Sequence, residues 1–100
     1  MAAHYVIKIV GDPASFDPPN LPADPGDVVS WSNTTGKRHQ LWQLDQGGKP
    51  VPVPLGGDRW DPIGSGTQSS LWTVPPGDSG TVIAYSCILH QGETGAITLN

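Results

Sequence analysis

Tyr85-Ser-Cys-Ile-Leu-His90 places the only cysteine of the chain three positions before one of its three histidines. A thiolate and an imidazole presented by one tight loop form a soft donor pair, which selects copper or zinc over magnesium or calcium. A structural zinc site would want four firm ligands and more cysteines, and a dinuclear copper centre a second bridging thiolate, so a single Cys narrows the choice to a mononuclear site. Two His and one Cys in a trigonal set with a weak axial group would make an electron-transfer copper site. A buried, inert thiol is the alternative reading of the same residue.

Cys87 must be held by the element that carries it. Thr81-Val-Ile-Ala-Tyr-Ser-Cys87 is the strongest strand signal in the sequence, and Ala96-Ile-Thr-Leu99 alternates as a terminal strand beyond the loop. Upstream, His4–Val10 is β-branched and aromatic enough for a first strand, ended by Gly11-Asp12-Pro13. Asp17-Pro-Pro-Asn20 reads as loop. After the turn Asp24-Pro-Gly-Asp27, the segment Val28–Asn33 reads as a half-buried antiparallel strand with Val29 and Trp31 inward and Ser30 and Ser32 outward. Thr34-Thr-Gly-Lys37 makes a further turn. His39 opens a short apolar stretch to Leu44 whose register is ambiguous, since either Leu41 or Trp42 with Leu44 can face the core.

Residues 45 to 68 are rich in Gly and Pro and read as irregular surface, with room for one edge strand that its prolines keep from pairing further. Gln68–Val74 is again strand-like, and Pro75-Pro-Gly-Asp78 is a turn. About seven or eight strands with frequent turns and no amphipathic helix predict an all-β, two-sheet Greek-key sandwich, and a length of 100 residues makes it a single domain, 1–100.

Composition removes several functions. A net charge of −4 with no cluster of Lys or Arg carries no nucleic-acid footprint. No stretch approaches the roughly 18 apolar residues of a membrane-spanning helix. Neither a nucleophile elbow nor an acid beside a histidine supports a hydrolase. The start lacks an export signal, which removal of a leader from a mature domain would explain. His4 has no acid or cysteine beside it and is read as a surface residue. Asn33-Thr-Thr fits the glycosylation tripeptide, but Asn33 equally suits a strand-ending turn.

Two motifs in this order resemble the cupredoxins, small blue-copper β-sandwiches such as plastocyanin and amicyanin, over most of the chain apart from residues 45–66. Pro25-Gly-Asp-Val-Val-Ser-Trp-Ser-Asn33, followed after six residues by His39, is similar to the strand and loop that deliver the first histidine of plastocyanins. Tyr85-Ser-Cys-Ile-Leu-His90 is similar to the segment that delivers the thiolate and the second histidine. The resemblance implies a copper site of His39, Cys87 and His90. It also implies an axial Met after the second histidine, yet Met1 is the only methionine. Aligning Gly95-Ala-Ile-Thr-Leu99 with the strand that closes amicyanin-like loops places Glu93 where that Met would stand. Glu93 is therefore the candidate fourth ligand, with Gln91 and Thr94 as weaker ones and a three-coordinate copper beside the Arg38 carbonyl as the alternative.

A carboxylate is a hard donor that would favour Cu(II), depress the potential and shift the colour away from deep blue. The red-copper nitrosocyanin, with glutamate, two His and one Cys, makes such a set credible. Leu89, where many cupredoxins have Pro, keeps a backbone N–H that could donate to the Cys87 sulfur and raise the potential. Gln40 stands where an Asn commonly ties the two ligand loops together. Trp31 is expected in the core, while Trp42 and Trp60 could flank the site or mark a partner surface.

The function implied is a soluble, monomeric one-electron carrier holding one Cu(I)/Cu(II) ion, a transport protein rather than an enzyme. Its place would be periplasmic or extracellular, with redox partner proteins docking near His90, Ile88 and Leu89. Three other functions compete with this one: a small-molecule-binding or catalytic red-copper site, a copper chaperone or store, and a copper-free interaction module.

Overall fold

A computed structural model describes residues 3–11, 14–45, 47–55 (52–55 as backbone), 63–89 and 93–100. The strands in chain order are β1 (His4–Val10), β2 (Ser15–Asp17), β3 (Asn20–Ala23), β4 (Val28–Asn33), β5 (Leu41–Leu44), β6 (Pro50–Leu55), β7 (Trp72–Thr73), β8 (Val82–Cys87) and β9 (Thr94–Leu99). They form two sheets, one ordered β2-β1-β4-β7 and the other β3-β9-β8-β5-β6. The all-β sandwich expected from the alternating segments is the fold. No helix among the described residues is long and apolar enough to cross a membrane.

Period-two alternation builds the core. Ile7 and Ile9 of β1, Phe16 of β2 and Val29 and Trp31 of β4 point inward from the first sheet. Leu21, Leu41, Ile83, Tyr85, Cys87, Ile97 and Leu99 meet them from the second. Trp31 stands edge-on to Tyr85 with ring centroids 5.4 Å apart, and Phe16 stands edge-on to the other side of Tyr85 at 5.0 Å. Such edge-to-face pairs add roughly 0.5–1.5 kcal/mol each beyond the area they bury. Trp72 extends the cluster against Trp31 at 6.2 Å.

Several elements depart from the sequence reading. The segment expected as loop at residues 17–20 separates two short strands, β2 on the first sheet and β3 on the second, and a cis Asp17–Pro18 bond lies between them. Two prolines in four residues mask strands this short. β4 was expected to pair antiparallel; it is antiparallel only to β7 and runs parallel to β1, with Ile7 opposite Trp31. The chain reaches β4 from β1 by crossing through β3 on the other sheet, so it returns in the same direction.

Ser30, expected on the outer surface, has 0% exposure because Gln68 donates to its hydroxyl at 2.7 Å and His4 Nε2 lies 3.2 Å from it. The strand expected over Gln68–Val74 is reduced to Trp72–Thr73 and one bridge between Gln68 and Ser32. The edge strand suggested within 45–68 is β6, which carries Pro50, Pro52 and Pro54 and closes the second sheet. Prolines cannot continue the ladder outward, which suits an edge. Asp24-Pro-Gly-Asp27 is a turn, with Gly26 at φ +91° where a side chain would be strained. Asp27 caps it, accepting the N–H groups of Asp24 and Ala3 at 2.9 Å each.

Candidate metal centre

One end of the sandwich collects the chemistry. β8 and β9 form an antiparallel hairpin with Tyr85 opposite Gly95 and Ser86 opposite Thr94. The next rung is Cys87 with Glu93, whose carbonyl accepts the Cys87 N–H at 2.9 Å. Opposite residues of an antiparallel pair share a face, and alternation carries the inward face from Ile97 through Gly95 to Glu93. The carboxylate therefore enters the sandwich beside the thiol, and both are 4% exposed. Thr94 is exposed, which removes it as a donor.

His39 arrives from the other side. Leu41 pairs with Cys87 across β5 and β8, which resolves the register in favour of Leu41 inward, and His39, two residues earlier, lies on the same face. The backbone of His39 is fixed by a reciprocal pair of bonds to Ile63 at 3.1 and 2.7 Å, and the residue is 1% exposed. One donor atom each from His39, Cys87 and Glu93 lies within 4.8 Å of the others.

The ring of His39 is gripped at both nitrogens. Nδ1 faces Glu93 Oε1 at 2.9 Å, a buried ion pair when the imidazole is protonated, and Nε2 faces the Thr35 hydroxyl at 2.8 Å. The second carboxylate oxygen of Glu93 accepts the Ala14 N–H at 3.1 Å. Burial pushes the Cys87 thiol above its ordinary value of 9.0. The backbone N–H groups of Gln40 and Leu89 act against that by stabilising the thiolate, and the charge and hydrogen bonding of Glu93 add to the rise. The Leu89 N–H is thus a donor to the sulfur, as its lack of a proline ring predicts.

Gln40 ties the two ligand loops, but through its backbone: its carbonyl accepts the Ile88 N–H at 2.9 Å, while its side-chain Nε2 is buried with no hydrogen-bond partner among the described residues. His4 is an exposed strand residue, as expected. Trp42 is half-buried on β5. His90, Gln91 and Trp60 lie outside the described residues.

Sequence reasoning missed Thr35, Ala14 and the part played by Asn33. Asn33 is not an acceptor for a glycan. It is 1% exposed, and its amide donates toward the carbonyls of Lys37, Ile63 and Gly64 at 2.7, 3.0 and 3.1 Å. The same Asn-Thr-Thr run that resembled a surface tripeptide is an Asx turn, with the Thr35 N–H and hydroxyl on Asn33 Oδ1 at 3.0 and 2.7 Å.

Neither the protein-family models nor the curated proteins provide a match for this chain. Solved structures do. A purple cupredoxin from Nitrosopumilus maritimus superposes with a TM-score of 0.76 at 22% identity, covering 96% of this chain and 99% of that one. The fold is that of a cupredoxin. An amicyanin variant in its Cu(I) form matches this cupredoxin-like chain with a TM-score of 0.71 at 19% identity, over 100% of this chain and 85% of that one. A second amicyanin variant, in the reduced state, gives 0.68 at 20% identity over 99% and 82%. The cupredoxin fold places the His39, Cys87 and Glu93 donors together, with no methionine among them.

Proposed function

We propose that the protein is a copper-dependent one-electron carrier in which His39, Cys87 and His90 hold a single ion and Glu93 supplies the fourth ligand. The observation that carries this reading is the convergence of a buried thiol, imidazole and carboxylate at one end of a cupredoxin sandwich. The donor set fits copper: one soft thiolate with imidazole suits Cu(I), and a carboxylate adds affinity for Cu(II). Copper bound there supplies reversible exchange of one electron.

The residues of the chain determine how that exchange would be tuned. Glu93 is held by the chain itself, with its backbone in the β8–β9 ladder and its carboxylate on the Ala14 N–H. A negative donor held this firmly favours the oxidised ion and lowers the potential. The Leu89 and Gln40 N–H groups on the sulfur favour the electron-rich state and raise it. Reciprocal backbone bonds to Ile63 hold His39, and pairing with Leu41 and Glu93 holds Cys87, which would limit reorganisation on transfer. Leu89 is 46% exposed beside half-buried Ile88, and this apolar surface next to the ligand loop is the proposed docking point for redox partners. The proposed compartment is the periplasm or cell exterior.

Electron paramagnetic resonance of the copper form beside Glu93→Gln and Glu93→Met tests the ligand set. Both substitutions are expected to change the copper hyperfine coupling and the visible spectrum, and identical spectra in all three proteins would remove Glu93 from it.

A second reading rests on a different observation. A cavity of about 370 Å³ opens between Gly11, Ala14, Thr35 and Lys37 and has His39 and Glu93 on its wall. A small molecule entering there would reach the carboxylate side of the centre, which would suit a catalytic or ligand-binding copper site. Azide separates the two: a closed carrier leaves its visible spectrum unchanged on titration, and an open site does not.

A further inference from the structure

The geometry points to Asn33 and Thr35 as a two-residue relay that holds the proton of His39 on Nε2, leaving Nδ1 as the nitrogen that serves a metal. The inference rests on the metal-site reading above and extends it to two residues outside the ligand set.

The amide of Asn33 has no freedom of orientation. Three carbonyl oxygens, of Lys37, Ile63 and Gly64, surround its Nδ2 at 2.7–3.1 Å, so the donor end must face them. Oδ1 then faces Thr35, 2.7 Å from its hydroxyl oxygen. Oδ1 has no hydrogen, and two oxygens this close need one between them, so the single hydroxyl proton of Thr35 lies on that contact. The Lys37 carbonyl, 3.1 Å from the hydroxyl, is also an acceptor and competes for that same proton, while the Lys37 N–H donates to the hydroxyl oxygen at 3.3 Å. What Thr35 turns toward His39 is therefore a lone pair. Nε2, 2.8 Å away, must donate to it.

The consequence reaches the centre through the ring. Nδ1, 2.9 Å from Glu93 Oε1, shares one proton with that carboxylate, and with Nε2 committed to Thr35 this shared proton is the one that a metal would displace to leave the Nδ1 lone pair free. Ring orientation follows as well, because Ile63 accepts both the His39 backbone N–H and the Asn33 amide, so one carbonyl ties the relay to the residue it orients. Partners on the far nitrogen of a metal-binding histidine commonly affect affinity by about 10- to 100-fold when removed. Thr35 and Asn33 are thus positioning residues that act through His39.

The test compares wild type with Thr35→Val, Thr35→Ala and Thr35→Ser. The proton on His39 Nε2 is observed by 15N-edited NMR in the metal-free and Cu(I) proteins, and Cu(I) affinity is measured by competition with a chelator. The relay predicts an Nε2–H protected from water exchange in wild type and Thr35→Ser and unprotected in Thr35→Val and Thr35→Ala. It also predicts a loss of about 10-fold or more in affinity that Thr35→Ser restores. Equal protection and equal affinity in all four proteins would overturn it, as would a wild-type ring protonated only on Nδ1. Failure of the metal-site reading looks different: Cys87→Ser would then bind copper as wild type does, while the Nε2–H result stands by itself.

Discussion

Adding one methyl group at Gly95 should cost the fold more than most surface changes. Gly95 lies opposite Tyr85 in the β8–β9 ladder, and the tyrosine ring covers its Cα. A Cβ built there would sit 2.5 Å from both Cζ and the hydroxyl oxygen of Tyr85 and 2.9 Å from Cε2. The ring has nowhere to go. Tyr85 has 0% exposure and is held edge-on between Phe16 and Trp31. Forcing an extra carbon into a packed core costs about 1–3 kcal/mol. An Ala in place of Gly returns roughly 0.4–1 kcal/mol through the unfolded chain where the backbone tolerates it. With three contacts under 3 Å, the upper part of the overpacking range applies, leaving a net loss of about 2 kcal/mol. At about 4–8 °C per kcal/mol for a domain of this size, Gly95→Ala should melt roughly 8–16 °C below wild type. Circular dichroism melts of the metal-free proteins measure this. Gly36→Ala serves as the control, since its Cβ would meet nothing within 4 Å. A Gly95→Ala midpoint equal to or above wild type would refute the packing described for Tyr85.

Three further outcomes follow from the same structure. Burial raises both the Cys87 thiol above 9.0 and the Tyr85 phenol above 10.0, so the folded protein holds these protons more tightly than the unfolded chain. The stability this confers is complete below pH 9.0 and is lost as pH rises through the two raised values, so melting temperature of the metal-free protein should fall steadily in alkali. A flat profile across that range would contradict the buried placement of both groups. Replacing Glu93 by Gln removes a charge that raises the thiol, so alkylation of Cys87 by iodoacetamide should reach its half-maximal rate at lower pH than in wild type; a shift to higher pH would be the wrong sign. Asn33→Ala removes the amide donor of the Lys37, Ile63 and Gly64 carbonyls and the Oδ1 acceptor of Thr35, while Ile63 and Gly64 keep their bonds from His39 and Thr67, so unfolding free energy should fall by about 2 kcal/mol in urea titrations, whereas a loss under about 0.5 kcal/mol would show that water replaces the amide.

Much of this was legible in the sequence because alternation reports burial directly. Val29 and Trp31 inward, the strand ending at Cys87 and the turn at Gly26 all follow from side-chain period and turn chemistry. What alternation cannot report is which strand lies beside which. The parallel pairing of β4 with β1 depends on the chain crossing between sheets, and Ser30 is buried by Gln68, a residue far along the chain. Glu93 was placed by family resemblance, yet its inward direction also follows from counting back by twos from Ile97, a local signal that needed only the β9 register. Thr35 and Asn33 were hidden for another reason. Their Asn-Thr-Thr run has the form of a surface tripeptide, and its meaning comes from carbonyls at Ile63 and Gly64 that no local pattern brings near.

The visible spectrum of the purified protein, titrated with Cu(II) beside Cys87→Ser, tests the central claim most directly. The account predicts an intense thiolate-to-copper charge-transfer band that saturates at one ion per chain, disappears on reduction, returns on reoxidation and is missing in Cys87→Ser. Copper uptake without such a band, or a band that survives the loss of Cys87, would contradict it.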